Sequence, residues 1–131
     1  MTSKIKMYTR RGDQGKTGLL YGGRVAKSDP RCEAYGSLDE AVAAMGLGRA
    51  HSEKELVRGI LLDLQKEAFT VGGELAIDTD YYPKYLKHFK KVTSEMVTKL
   101  EETTDQLTKR IDPPREFIMP GGSPASAAID L

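Results

Sequence analysis

Three stretches of the chain carry apolar residues on one side of a predicted helix, between segments rich in polar residues, glycine and proline, and in the second and third stretches they recur mainly at steps of three and four. This spacing is typical of amphipathic helices that bury one face. The first stretch contains Leu38, Ala41, Val42, Met45 and Leu47. The second contains Val57, Ile60, Leu61, Leu64, Ala68, Val71 and Leu75, and the third contains Val97, Leu100, Thr104, Leu107 and Ile111.

Capping residues mark where the first two predicted helices begin. Asp29 followed by Pro30 provides a favourable N-cap and first helical position, so the first helix is predicted to begin there and to end near His51. Ser52 and Glu55 have the spacing of a capping box, which predicts that Ser52 caps the second helix. This second helix is expected to end between residues 76 and 80.

The later boundaries follow from hydroxyl residues and prolines. Thr93 or Ser94 is expected to cap the third helix, which an Asp-Pro-Pro sequence at 112–114 ends after Ile111. A tight turn is predicted at residues 117–122. The Ser-Pro pair at 123–124 then opens a fourth helix.

Residues 78–92 interrupt the helical pattern with Pro83, four aromatic residues and four lysines. We predict a loop that packs its aromatic side chains onto the helices, as connecting segments on a protein surface commonly do. Contact with nucleic acid is the alternative reading of an aromatic and basic segment.

Together these elements predict an all-α fold, an up-and-down helical bundle with short loops, in a single domain spanning residues 1–131. Residues 1–29 form an arm and a glycine-rich loop in front of the bundle at 30–131. Residues 1–8 are expected to form a brief strand or an ordered arm. Such a bundle binds ligands between helix faces or between subunits.

The glycine-rich loop combines a permissive backbone with positive charge. Its glycines are Gly12, Gly15, Gly18, Gly22 and Gly23, and its basic residues are Arg10, Arg11, Lys16, Arg24 and Lys27. Glycine allows the backbone to approach a ligand closely, and successive amides in such a loop form an anion-binding concavity. A polyanion, most simply a nucleoside triphosphate, is the predicted ligand.

A Walker A loop is a poor explanation of this segment. Gly15-Lys16-Thr17 has the sequence of its end, but Arg10 stands where the motif requires its first glycine. The glycines that follow also oppose the helix that a Walker A loop needs.

Composition excludes several other classes. The chain has a net charge of +1, so it is not a polycation, although residues 1–31 hold eight basic residues and only two aspartates. No binding of nucleic acid is predicted. A single cysteine and two histidines favour neither disulfides nor a metal site. The sequence contains no apolar run of membrane-spanning length and no export signal, so we expect a cytoplasmic protein.

Three ordered motifs resemble the PduO-type ATP:cob(I)alamin adenosyltransferases. They are residues 9–18 with 23–31 (TRRGDQGKTG and GRVAKSDPR), residues 33–40 (EAYGSLDE) and residues 117–123 (FIMPGGS). The resemblance covers nearly the whole chain. It implies a five-helix, ferritin-like bundle that forms a homotrimer with ATP between subunits. It also implies attack by the cobalt of cob(I)alamin on the 5′ carbon of ATP, giving adenosylcobalamin and triphosphate.

The resemblance also implies roles for individual residues. Contacts to ATP are implied for Thr9, Arg10, Arg11, Gly12, Thr17, Gly18 and Lys27. Asp13 and Gly15 are implied to shape the same loop, with coordination of Mg²⁺ as the alternative role of Asp13. Asp39 matches an aspartate that forms an inter-subunit ion pair beside the corrinoid. Phe117 matches an aromatic residue under the corrin ring, with a core anchor as the alternative.

In the family, the pattern continues with an Arg-x-x-x-Arg-Arg-x-Glu stretch and a fifth helix, which this sequence does not contain. We therefore expect a fragment of a longer enzyme, truncated in the fourth helix. A natural truncation and completion by another polypeptide are the alternatives. The alternative function is a non-catalytic helical module that binds ATP or a corrinoid.

Overall fold

The computed structural model describes residues 7–131, so most of the arm predicted at residues 1–8 lies outside the described residues. Along the chain, the elements are β1 (Lys16–Gly18), β2 (Arg24–Ala26), α1 (Pro30–His51), α2 (Glu55–Leu75), a 3₁₀ turn (Thr79–Tyr81), α3 (Tyr82–Tyr85), α4 (Ser94–Thr108) and α5 (Pro124–Asp130). The predicted helical fold is confirmed, with a small two-stranded sheet in addition.

Helix α1 packs along both α2 and α5. The buried apolar side chains lie where these elements meet and where the 3₁₀ turn and α3 cover the end of α2. They are Leu61, Ala68, Ile77, Tyr85 and Ala128. This arrangement fixes the relative positions of α1, α2 and the segment that follows α2.

The predicted start of α1 is confirmed. The Asp29 carboxylate accepts a hydrogen bond from the amide of Arg31 at 2.9 Å, and Pro30 occupies the first helical position. The helix ends at His51, where the amide of Ser52 still donates to the carbonyl of Gly48 at 3.0 Å.

The predicted capping role of Ser52 in α2 is wrong. Helix α2 begins at Glu55, and Lys54 is its N-cap residue without a side-chain capping bond. Ser52 instead follows the end of α1, where it is buried and its hydroxyl accepts from the amide of Lys54 at 3.3 Å. Because only three residues connect the two helices, Ser52 belongs to the end of α1 rather than to the start of α2.

The third predicted helix, α4, ends at Thr108, three residues before the expected Ile111. It has no fully buried residue, and its contact with α2 includes an ion pair of 3.0 Å between Lys99 and Glu67. The predicted start of α5 is confirmed, because Ser123 and Ser126 form reciprocal capping bonds in front of its first turn.

The glycine-rich loop contains an antiparallel hairpin, with Thr17 paired to Val25. Its turn is attached to the end of α2 by two backbone hydrogen bonds. The amide of Leu20 donates to the carbonyl of Ala76 at 2.7 Å, and the amide of Asp78 donates to that of Tyr21 at 2.9 Å. The loop is therefore held against the bundle at a defined place.

None of the helices in residues 7–131 combines the length and apolar character needed to cross a membrane.

Candidate functional site

The first part of the candidate site is the turn at residues 10–15. The amide of Asp13 donates to the carbonyl of Arg10 at 3.4 Å, and the amide of Gly15 donates to that of Gly12 at 3.1 Å. Arg10 and Gly15 both have positive φ angles, of 59° and 73°. Such turns place successive amides on one side of the backbone, where they can bind an anion.

Lys27 brings a positive charge to this turn. Its amide donates to the carbonyl of Gly15 at 2.8 Å, which fixes the backbone position from which the side chain extends. Its Cε and Nζ atoms lie 3.1 and 3.2 Å from the position that a Cβ atom would take at Gly12. A side chain at position 12 would therefore displace the Lys27 ammonium group.

Arg24 has a different role from the other cations of the loop. Its guanidinium group donates to the carbonyls of Arg11 and of Lys16, the latter at 2.9 Å. It therefore holds the turn against the hairpin and is already occupied by protein acceptors.

The remaining predicted ATP contacts lie in the same unit of turn and hairpin. The hydroxyl of Thr9 accepts from the amide of Arg11 at 3.4 Å, whereas Thr17 and Gly18 belong to β1. The side chain of Arg10 lies over the ring of Tyr8, 5.4 Å from its centroid. The structure thus brings the nine predicted loop residues into one basic surface.

The second part of the site is a groove of about 570 Å³ between α1, the second half of α2 and residues 85–90. Asp39 lies at this groove. Apolar and aromatic side chains dominate its lining, with a few polar groups among them, as in many sites for organic ligands. The lining residues are Leu20, Tyr35, Asp39, Phe69, Thr70, Gly72, Gly73, Ala76, Tyr85, His88, Phe89 and Lys90.

Tyr85 forms the buried wall of this groove. Its ring is 1% exposed and stacks on Phe89 with 5.1 Å between centroids. Its hydroxyl donates to the carbonyl of Lys90 at 3.0 Å, and Gly73 leaves room for that hydroxyl. Burial raises the pKa of Tyr85, so the hydroxyl keeps its proton and remains a donor.

Tyr35 contributes a second hydroxyl near Asp39. It donates to the sulfur of Cys32 at 3.0 Å. This hydrogen bond, together with burial and the negative groups nearby, raises the pKa of Tyr35 to about 12. The phenol is therefore neutral throughout the physiological range.

Phe117 does not lie among the residues that line the groove. Its side chain is fully exposed, so the core-anchor alternative is wrong for the described chain. Among residues 7–131, Asp39 lines the groove whereas Phe117 lies at a separate surface depression with Pro114, Arg115 and Glu116.

Sequence reasoning missed several groove residues, among them Phe69, Thr70, His88 and Lys90. The signal for His88 and Lys90 was the aromatic and basic segment at 78–92, which was predicted to pack onto the helices, whereas Phe69 and Thr70 belong to α2. That prediction is confirmed for Tyr85, whereas Phe89 stays 45% exposed.

A helical bundle with a basic glycine loop beside an apolar groove defines a class of protein that can hold an anion next to an organic ligand. A family model described as cobalamin adenosyltransferase matches residues 7–131. The chain belongs to this family, which confirms the family predicted from the three motifs.

Two relatives illustrate the match. The chain is 38% identical over 125 residues to the corrinoid adenosyltransferase PduO of Salmonella typhimurium, covering 95% of this chain and 36% of the relative. It is 37% identical over 131 residues to the corrinoid adenosyltransferase of Bacillus subtilis, covering 97% of this chain and 64% of the relative. The chain thus spans about one third of the length of the first relative and slightly less than two thirds of the second.

A solved structure has the same fold. It is a variant of the PduO-type ATP:corrinoid adenosyltransferase from Lactobacillus reuteri, complexed with cobalamin and ATP. The two structures align with a TM-score of 0.80 and 31% sequence identity, over 94% of this chain and 67% of the other.

Proposed function

We propose that the protein transfers the 5′-deoxyadenosyl group of ATP to the cobalt of cob(I)alamin, giving adenosylcobalamin and triphosphate. The observation that carries the proposal is the continuity of the two parts of the site. Leu20 belongs to the basic loop and also lines the apolar groove. Its amide donates to the carbonyl of Ala76, which holds this part of the loop at the end of α2. A nucleotide in the loop would therefore lie beside a corrin in the groove.

In this reaction the protein has to position the two substrates and to stabilise the negative charge on the leaving group. The lone pair of Co(I) forms a cobalt–carbon bond at the 5′ carbon, and the carbon–oxygen bond breaks with its electrons leaving on triphosphate. Positive charge from Arg10, Arg11 and Lys27 would stabilise the charge on that leaving group. The amides of Gly12 and Gln14, which alternate with the bonded amides of Arg11, Asp13 and Gly15, would add donors. Thr9, Thr17 and Gly18 would complete the nucleotide contacts.

Mg²⁺ is part of the proposal as a partner of the phosphates. Asp13 offers one exposed carboxylate on the turn beside Lys27. Mg²⁺ in phosphate sites is commonly held by one or two carboxylates together with the phosphates themselves, which fits this single residue. Among residues 7–131, no three histidine, cysteine, aspartate or glutamate side chains are grouped as a metal site.

We further propose that the working unit is a cytoplasmic homotrimer with ATP sites at the subunit interfaces. Asp39 then forms an ion pair with a basic residue of an adjacent subunit, and Phe117 packs under the corrin ring. Two observations support this assembly: Phe117 is fully exposed, and Asp39 has no ion-pair partner among residues 7–131.

The proposal is tested by mixing the protein with ATP, Mg²⁺ and chemically reduced cobalamin without oxygen. We expect loss of the Co(I) absorbance together with equal amounts of adenosylcobalamin and triphosphate. Lys27→Gln should slow this reaction, whereas Lys54→Gln, which changes an exposed lysine at the opposite end of α2 from the groove, should not. Binding of ATP or corrinoid without any transfer would instead support the non-catalytic module.

A further inference from the structure

A second cavity of about 450 Å³ lies next to the groove, on the side of α4. The two cavities share Thr70 and Lys90, so they are neighbours on one surface. Their chemistry differs, because the groove is mainly apolar and aromatic whereas the second cavity is lined by Lys66, Lys90 and Lys91.

The charge of this second cavity is positive. Its only acidic lining residue, Glu67, is already bonded to Lys99 at 3.0 Å. Lys66 lies 3.6 Å from Asp63 on its own helix, whereas Lys90 and Lys91 form no ion pair among residues 7–131. Two cations thus remain available for an anion.

The backbone that carries these lysines is held in place. The carbonyl of Lys90 accepts from the buried hydroxyl of Tyr85 at 3.0 Å. Two residues later, the amide of Val92 donates to the Glu74 carboxylate at 3.2 Å. The positions of Lys90 and Lys91 relative to the groove are therefore set by the fold, which lowers the entropy lost when they bind a ligand.

We propose that this basic cavity binds the phosphodiester of the nucleotide arm of a cobamide while the corrin ring lies in the adjacent groove. The inference rests on the proposed function, since it places the corrin in that groove. A complete cobamide has both chemistries in one molecule: a large organic ring and, at the end of a side chain, one anionic phosphodiester. Lysine ammonium groups bind phosphate oxygens as point charges.

The test compares cobalamin with cobinamide, which has the same ring but lacks the nucleotide arm and its phosphodiester. Equilibrium dialysis, followed by corrinoid absorbance, gives the Kd of each for the unchanged protein, for Lys91→Gln, which alters the second cavity and not the groove, and for the control Lys54→Gln. We expect Lys91→Gln to bind cobalamin roughly twofold to fivefold more weakly, as for one exposed charge pair. Its Kd for cobinamide, and both constants of Lys54→Gln, should stay unchanged.

Charge rather than shape is tested with Lys91→Arg, which should keep the affinity for cobalamin. Equal weakening of both corrinoids in the glutamine variant, or no change in either, would overturn the inference. Loss of affinity for ATP instead would also overturn it, because the cavity would then serve the triphosphate. Transfer without lysine-dependent cobalamin binding contradicts only this inference, whereas lysine-dependent binding without transfer contradicts only the proposed function.

Discussion

At the scale of single residues, Gly22 fixes how the basic loop is attached to the bundle. Its φ angle is 114°, and a Cβ atom there would lie 2.5 Å from the Cβ of Asp78. Gly22→Ala should destabilise the protein by about 1–3 kcal/mol through backbone strain alone, and it should weaken ATP binding because the loop moves. Urea unfolding and calorimetry with ATP measure the two effects.

The neighbouring glycine provides the control for that substitution. A Cβ atom at Gly23 would meet nothing within 4 Å, and its φ angle is not positive. Gly23→Ala should therefore change the stability by less than about 0.5 kcal/mol. Equal effects of the two substitutions would show that the contact with Asp78 does not hold the loop.

Tyr35 gives a prediction about pH at the same scale. Because its pKa is raised from 10.0 to about 12, the folded chain keeps this proton when the unfolded chain loses it. The resulting stabilisation is fully present below pH 10 and is lost as the pH rises toward about 12. The stability difference between the wild type and Tyr35→Phe, measured by urea unfolding, should shrink between pH 9 and pH 12.

An absorbance titration identifies the group responsible. The phenolate signal that is present in the wild type and missing in Tyr35→Phe should have its midpoint well above 10. Since the hydrogen bond to Cys32 is the largest cause of the raised pKa, Cys32→Ala should lower that midpoint. A Tyr35 midpoint near 10 in the wild type would contradict the observed hydrogen bond.

At the scale of elements, the close approach of α1 to α5 depends on Gly48. A Cβ atom at this position would lie 2.8 Å from Cγ1 of Ile129. Alanine favours a helix over glycine by about 1 kcal/mol, but overpacking a contact costs about 1–3 kcal/mol. Gly48→Ala should therefore fail to stabilise the protein and should loosen α5, which hydrogen exchange of the α5 amides would reveal.

Gly59 supplies the matched substitution in α2. It lies inside the helix, and a Cβ atom there would meet nothing within 4 Å. Gly59→Ala should consequently stabilise the protein by about 0.5–1 kcal/mol. Unfolding is compared at one protein concentration, because assembly would otherwise change the apparent stability. A similar gain from Gly48→Ala would mean that α5 is not packed closely on α1.

Local signals were sufficient for part of this architecture. The start of α1 follows from Asp29 and Pro30, and that of α5 follows from Ser123 and Pro124, because those residues act within one turn of the chain. Ser52 misled because the short connection between α1 and α2 assigns it to the preceding helix. A capping residue predicts a helix boundary reliably only when a single helix end lies within its reach.

The candidate site was predictable only in its local half. The basic loop is continuous in sequence, so its glycines and cations identified it directly. The hairpin was not predicted because its strands have only three residues each, too few for an alternating pattern to be recognised. The groove joins Tyr35, Phe69 and His88 from distant parts of the chain, and periodicity does not reveal such long-range contacts.

At the scale of the whole molecule, large apolar side chains stay exposed on several elements. On α4 they include Val97, at 53% exposed, and Leu100, and on α2 they include Phe69, at 67% exposed. Apolar surface that recurs on adjacent elements commonly marks an interaction site. This surface supports the proposed association of chains, in which Asp39 would pair with a basic residue of an adjacent subunit.

The proposed homotrimer leads to a prediction about its response to ATP. If ATP binds between subunits, it binds the trimer and not the separated chains, so it stabilises the assembly by about 2.7 kcal/mol per site at one hundred times its Kd. Sedimentation velocity on a dilution series should then show that ATP moves the dissociation of the trimer to lower protein concentration. AMP, which lacks the triphosphate, should have a much smaller effect, and Lys27→Gln should weaken the response to ATP. Bound ATP that leaves the dissociation unchanged would place the nucleotide site within one chain and would contradict ATP binding at the subunit interfaces.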